Sequence, residues 1–146
     1  MLAYAALDAG DTAGARRLLT ECVTVNHAFR DLVGLVPAVE LPALVTVTEG
    51  RPAEAAVLQG AAEPMWAGVG LRLFGSGYFN APRLMCQERA GEALGPERYA
   101  VHAAEGRQLS VDALVLRARW VPGREGGPRT GEPAAPRRGR RVDTSL

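Results

Sequence analysis

Apolar positions recur with helical spacing from near the start of the chain. Ala15, Leu18, Leu19, Cys22 and Val23 follow the i, i+3, i+4, i+7, i+8 rule and share one stripe, while Arg16, Arg17, Thr20, Glu21 and Thr24 face elsewhere. This predicts an amphipathic helix starting after Gly10-Asp11-Thr12, where Asp11 or Thr12 can cap the free amides of the first turn. A second helix is predicted from Gly50-Arg51-Pro52, with Pro52 at a tolerated first-turn position and Glu54 near the positive helix end. Its stripe is Ala55, Leu58, Ala62, Met65 and Trp66.

The two starts are in phase at an offset of 40 residues: Ala3/Ala43, Gly10/Gly50, Ala13/Ala53, Ala15/Ala55 and Leu18/Leu58 are identical, and Leu7/Val47 is conservative. Stacked helical hairpins require such a recurrence, although two unrelated Ala-rich helices would also match at the alanines. Leu44 to Thr48 carries a conflict, because its β-branched residues prefer strands and Pro42 disfavours helix just before it. The repeat places this segment where Tyr4 to Ala9 sits in the first unit, and a lone strand would have no partner. Helix is therefore expected there.

Leu71 to Pro82 is punctuated by glycine and holds Phe74, Tyr78 and Phe79, which predicts a loop with aromatic anchors. Three helices are expected to follow, over Pro82–Leu94, Pro96–Glu105 and Ser110 to about Ala118. Gly95 and Gly106 are read as helix-ending residues, Pro96 as an opener and Ser110 as a cap. Val111, Leu114, Val115 and Ala118 supply the last buried stripe. The expected fold is all-α: stacked antiparallel helical hairpins over residues 1–120, closing in a short three-helix end unit. The pattern stops after Trp120. Residues 121–146 are rich in Pro, Gly and Arg, cannot bury a core, and are expected to form a disordered tail.

At 146 residues the chain can bury a core without a metal or disulfide. With 47% apolar but only 5% aromatic residues, that core must be built from Ala, Leu and Val, which suits closely packed helices. All 17 basic residues are arginine, and the net charge of +1 excludes a uniformly basic nucleic-acid binder and an acidic disordered chain. The tail sets six Arg against three acids, or +3, leaving eleven Arg against thirteen acids, or −2, for the body.

Cys22 and Cys86 belong to no CxxC or Cys/His cluster and read as reduced core thiols. The N-terminus has no basic region ahead of an apolar stretch, and the most apolar window, Leu32 to Val47, is interrupted by Pro37, Glu40 and Pro42. It is shorter than the roughly 20 residues a membrane span requires. A soluble cytoplasmic protein without membrane association is expected.

Little catalytic chemistry is legible. His27 and His102 have no neighbouring carboxylate at ligand spacing, Ser76 lacks a GxSxG elbow, and Gly68, Gly70, Gly75 and Gly77 do not form GxGxxG. The chain reads as a non-enzyme, and no cofactor or metal is implied. Trp66, Phe74, Tyr78 and Phe79 either form a ligand pocket or protein-docking surface, or pin the glycine-rich linker onto the helices. Arg137, Arg138, Arg140 and Arg141 are either phosphate contacts with strong salt dependence or simply solvated.

Gly10-Asp11 followed by Ala13, Ala15, Leu18 and Leu19 resembles a tetratricopeptide-type hairpin turn. The runs Leu58-Gln59-Gly60-Ala61-Ala62-Glu63 and Gly70-Leu71-Arg72-Leu73-Phe74-Gly75-Ser76-Gly77-Tyr78-Phe79, with Ala93-Leu94-Gly95, Tyr99 and Glu105-Gly106-Arg107-Gln108-Leu109-Ser110, extend the likeness. Together they resemble the end of the helical-repeat region of large ATP-binding bacterial transcriptional regulators of the LuxR-like type, over residues 1 to 118. The resemblance implies a non-catalytic sensor or protein-interaction module, binding a protein partner or small effector on the repeat surface. In that family an NTPase module precedes the repeats and a helix-turn-helix DNA-binding domain lies at one end. This chain has no GxxxxGK[ST] loop, so ATP binding is not carried over, and the tail occupies the place of the DNA-binding helices. The chain thus reads as a fragment of such a regulator, with self-association through the apolar edge Met1 to Ala9 expected. The alternative is a small nucleic-acid-binding protein acting through its Arg-rich tail.

Overall fold

The computed structural model describes residues 2–69 and 77–120, without the side chains of residues 32, 69 and 77–79. Residues 70–76 of the expected linker and the whole expected tail lie outside them. Among the described residues the chain is all-helical: α1 (Leu2–Asp8), α2 (Thr12–Ala28), α3 (Leu32–Thr48), α4 (Pro52–Val69), α5 (Gly77–Leu94), α6 (Pro96–Arg107) and α7 (Val111–Ala118).

The first four helices are joined by three turns of one design, 20 residues apart. The amides of Gly10, Arg30 and Gly50 donate to the carbonyls of Leu7, His27 and Val47, and those of Asp11, Asp31 and Arg51 to Ala6, Asn26 and Thr46. This pair of bonds closes a helix end around one left-handed residue, and φ is +82° at Gly10, +53° at Arg30 and +79° at Gly50. Asp11 and Asp31 then cap the next helix through the amides of Gly14 and Gly34, at 2.8 and 3.0 Å. The 40-residue recurrence is therefore every second turn of a 20-residue interval. Arg30 hides the middle turn from a reading that looks for glycine.

Consecutive helices from α1 to α6 pack on each other, and α3 lies in the middle, against α1, α2, α4, α5 and α7. Its sequence is apolar on every side, as a helix covered all round must be. Leu35, Val39, Ala43 and Leu44 join Val23, Ala55, Leu58, Ala62, Cys86, Leu114 and Val115 in the main core. Leu44 to Thr48 is helical as expected. The hydroxyls of Thr46 and Thr48 donate to the carbonyls of Pro42 and Leu44 within the helix. Further along, α6 lies along α4, and α7 crosses α2, α3 and α4. Ser110 caps α7 and Gly95, at φ +77°, ends α5, both as expected.

Several expectations are corrected. Arg16 is buried at 3% exposure, and Cys22 is exposed. The buried face of α2 runs through Ala15, Arg16, Leu19 and Val23, because α2 is covered from two directions, by α1 and by α3 with α7. Helix α5 starts at Gly77, so Gly77 to Ala81 are helix and Pro82 lies inside it. The proline ring is buried, and the apolar area it removes from water offsets the one backbone hydrogen bond it forgoes. Gly106 does not end its helix: it stays within α6 and is buried where α6 meets α4. Val111 is 38% exposed while Leu114, Val115 and Ala118 are buried, since Val111 sits at the first position of α7. No helix among the described residues is long and apolar enough to cross a membrane.

Candidate functional site

Helix α3 buries one carboxylate in its apolar surroundings, that of Glu40, at 3% exposure. The indole Nε1–H of Trp66, from α4, donates to Glu40 Oε1 at 2.7 Å. Arg83 Nε, from α5, stands 3.9 Å from the same oxygen, too far for a hydrogen bond. Glu40 Oε2 is buried and has no hydrogen-bond partner among the described residues. Burial pushes the Glu40 carboxyl up to about 7, against the opposing pull of the Trp66 hydrogen bond, Arg83 and Gln59. A carboxyl so placed changes charge near neutrality.

Gln59 and Arg83 also line a cavity of about 200 Å³ between α4, α5 and α6, together with Glu63, Gln87, Tyr99 and Arg107. The wall is organised by a chain of bonds. Tyr99 Oη–H donates to Gln59 Oε1 at 2.8 Å, and Gln59 Nε2 donates to the Arg83 carbonyl at 2.8 Å. Arg107 holds Glu63 through both Nε and Nη2. Burial raises the Tyr99 phenol to about 12, so it remains a donor at neutral pH. Cys86 is buried near Glu40, and burial raises its thiol to about 12, which leaves it unreactive.

The backbone beneath this cavity is close-packed. A Cβ on Gly60 would collide with the carbonyl of Ala103, and one on Gly106 with the carbonyl of Val57. Two glycines thus let α4 and α6 approach until Gln59 and Tyr99 can bond across them.

No family model, curated protein or solved structure matches this chain.

Of the residues singled out from sequence, Trp66 is placed at this site, half-buried with its N–H committed to Glu40. Phe74 and Ser76 lie outside the described residues, as do the side chains of Tyr78 and Phe79. Arg137, Arg138, Arg140 and Arg141 lie outside them too. His27 Nε2 meets Asp112 Oδ1 at 2.8 Å on the surface, and His102 stands 3.8 Å from Glu105. The carboxylate that the local sequence around His27 lacks is Asp112 of α7, whereas His102, contrary to expectation, has Glu105 one turn on in its own helix.

Glu40 was visible in the sequence only as an interruption of the most apolar window. Its signal was that very context, because an acid inside a fully apolar helix must be buried or break the pattern. A second buried charge, Arg16, forms a clasp away from the cavity. Its guanidinium donates to both oxygens of Glu49 at 2.9 and 2.8 Å, to Thr46 Oγ1 at 2.9 Å and to the Trp120 carbonyl at 3.0 Å. Arg51 stacks 3.7 Å above the Trp120 ring. All of this holds helix ends together.

Proposed function

We propose that this chain is a non-catalytic sensor and protein-interaction module, the helical part of a LuxR-like transcriptional regulator whose NTPase and DNA-binding domains are encoded beside it. One observation carries the reading. The short motifs behind the resemblance, Leu58 to Glu63, Tyr99 and Glu105 to Arg107, converge on a single place in the fold. Gly60 and Gly106 set the α4–α6 approach, Gln59 bonds Tyr99, and Glu63 bonds Arg107. Motifs up to 49 positions apart in sequence thus build one polar cavity.

Binding, not bond-making, suits such a wall. Glu63 and Arg107 hold each other, Tyr99 donates to Gln59, and Arg83 is a guanidinium, so the wall orients a guest without supplying a free nucleophile or base. A small effector in the cavity would touch α4, α5 and α6 together, and a change in their packing is what a partner domain would sense.

The test is the coding DNA on both sides of the chain. An NTPase module with a GxxxxGK[ST] loop upstream and a LuxR-like helix pair downstream are expected, in the same or a shifted frame. Flanks holding neither would overturn the regulator reading.

A further inference from the structure

The cavity carries an unbalanced charge. Arg107 is neutralised by Glu63, whereas the Arg83 guanidinium makes no hydrogen bond or ion pair among the described residues closer than its 3.9 Å approach to Glu40. Its side chain is 39% exposed and it lines the cavity. A guanidinium presents five N–H donors in a planar fork suited to an oxyanion, and here that fork has no hydrogen-bonded partner among the described residues.

Glu40 governs how free that fork is. When ionised, Glu40 attracts Arg83 from one side; when protonated, that attraction is gone. The charged and titratable groups facing Glu40 are Arg83 and Cys86 from α5, Glu63 from α4 and Tyr99 from α6, with the Trp66 and Gln59 dipoles on α4. Of these, Arg83 alone is a cation, and Tyr99 and Cys86 stay neutral through the physiological range.

We propose that the α4–α5–α6 cavity is a binding site for a small organic anion with a carboxylate or phosphate head, anchored by Arg83, and that protonation of Glu40 strengthens the binding. This names the effector class for the sensor reading given above and rests on it. Arg83 is the binding residue. Glu40 is a positioning residue that acts through it.

The reporter is built in. The Trp66 indole N–H donates to Glu40, and Trp120 lies beside Arg51 in a different part of the fold, so the two indole signals in a nitrogen–proton NMR spectrum serve as probe and control. The full chain is titrated with sodium acetate or sodium sulfate at about pH 6 and about pH 8, with chloride holding ionic strength; neither anion titrates appreciably across that range. Saturable movement of the Trp66 signal alone is expected, with affinity several-fold weaker at the higher pH. Tighter acetate than sulfate assigns a carboxylate head, and the reverse assigns a phosphate-like head.

Arg83→Gln is expected to abolish saturation, and Glu40→Gln to keep it while removing its pH dependence. Arg83→Lys, which retains charge, is expected to bind more weakly with the pH dependence intact, and it covers the case in which Arg83→Gln does not fold. The proposal is overturned by no saturable shift at Trp66, by unaltered binding in Arg83→Gln, or by an unaltered pH dependence in Glu40→Gln. Because the regulator reading is tested on flanking DNA, either result can fail without the other.

Discussion

Gly60 of α4 and Gly106 of α6 each make room for the backbone of the opposite helix, with the Ala103 carbonyl over the first and the Val57 carbonyl over the second. Alanine is the better helix former at both positions by up to about 1 kcal/mol. Packing reverses that preference, since the obstructing atoms are backbone and cannot rotate away. Gly60→Ala and Gly106→Ala are each expected to destabilise by roughly 1–3 kcal/mol in urea unfolding. The double variant should cost less than the sum, because the first methyl already separates the helices. Gly91, with nothing near its missing Cβ, is the control: Gly91→Ala should be neutral or stabilising.

Arg16→Ala strands the carboxylate of Glu49, whose side chain is 16% exposed, and frees the Trp120 carbonyl. Removing one member of a buried pair leaves an uncompensated charge, so a loss of roughly 3 kcal/mol is expected. Arg17, next in sequence and exposed, should give less than about 0.5 kcal/mol on the same change. Equal losses at the two positions in denaturant titrations would contradict the buried clasp.

Glu40 makes stability depend on pH with a definite sign. Its folded value of about 7 lies above the ordinary 4.5, so between these values the folded chain holds a proton that the unfolded chain has released. Unfolding free energy therefore falls as pH rises from about 4.5 to about 7, by roughly 3 kcal/mol in total, and this contribution levels off above that range. Glu40→Gln keeps an acceptor for Trp66 without the charge. Its stability profile should lack this slope and exceed the parent at about pH 8; a profile parallel to the parent's would refute the assignment.

Arg30 occupies the left-handed position that Gly10 and Gly50 hold in the equivalent turns, at φ +53°. A side chain there costs about 1–2 kcal/mol, partly offset by the larger unfolded-state entropy of glycine. Arg30→Gly is expected to raise stability by roughly 0.5–1 kcal/mol, read as a higher melting temperature.

The elements were legible because their signals are local. A capping residue, a left-handed Gly and the stripe Ala55, Leu58, Ala62 act within one or two turns of chain, and they locate the starts of α2 and α4 and both ends of α6 and α7 to within a few residues. Asp11/Asp31 and Gly14/Gly34 also carried the 20-residue interval, although glycine was absent from its middle turn. The candidate site was scarcely legible. Trp66 was singled out as a surface or anchor aromatic, while Glu40, Gln59 and Arg83 were not assigned to any site.

By itself, then, the sequence determined that this protein is helical, where α2, α4, α6 and α7 begin, and which residues share a face. Tertiary structure alone decided which faces are inside. Periodicity orders residues around an axis but carries no reference direction when neighbours cover a helix from several sides, as they do α2 and α3. That is why Arg16 turned inward and Cys22 outward. It is also why an acid from α3, an indole from α4 and a guanidinium from α5 form one site, and why Gln59 and Tyr99 meet beside it: that last contact depends on how closely α4 can approach α6, and two glycines far apart in the chain set that distance.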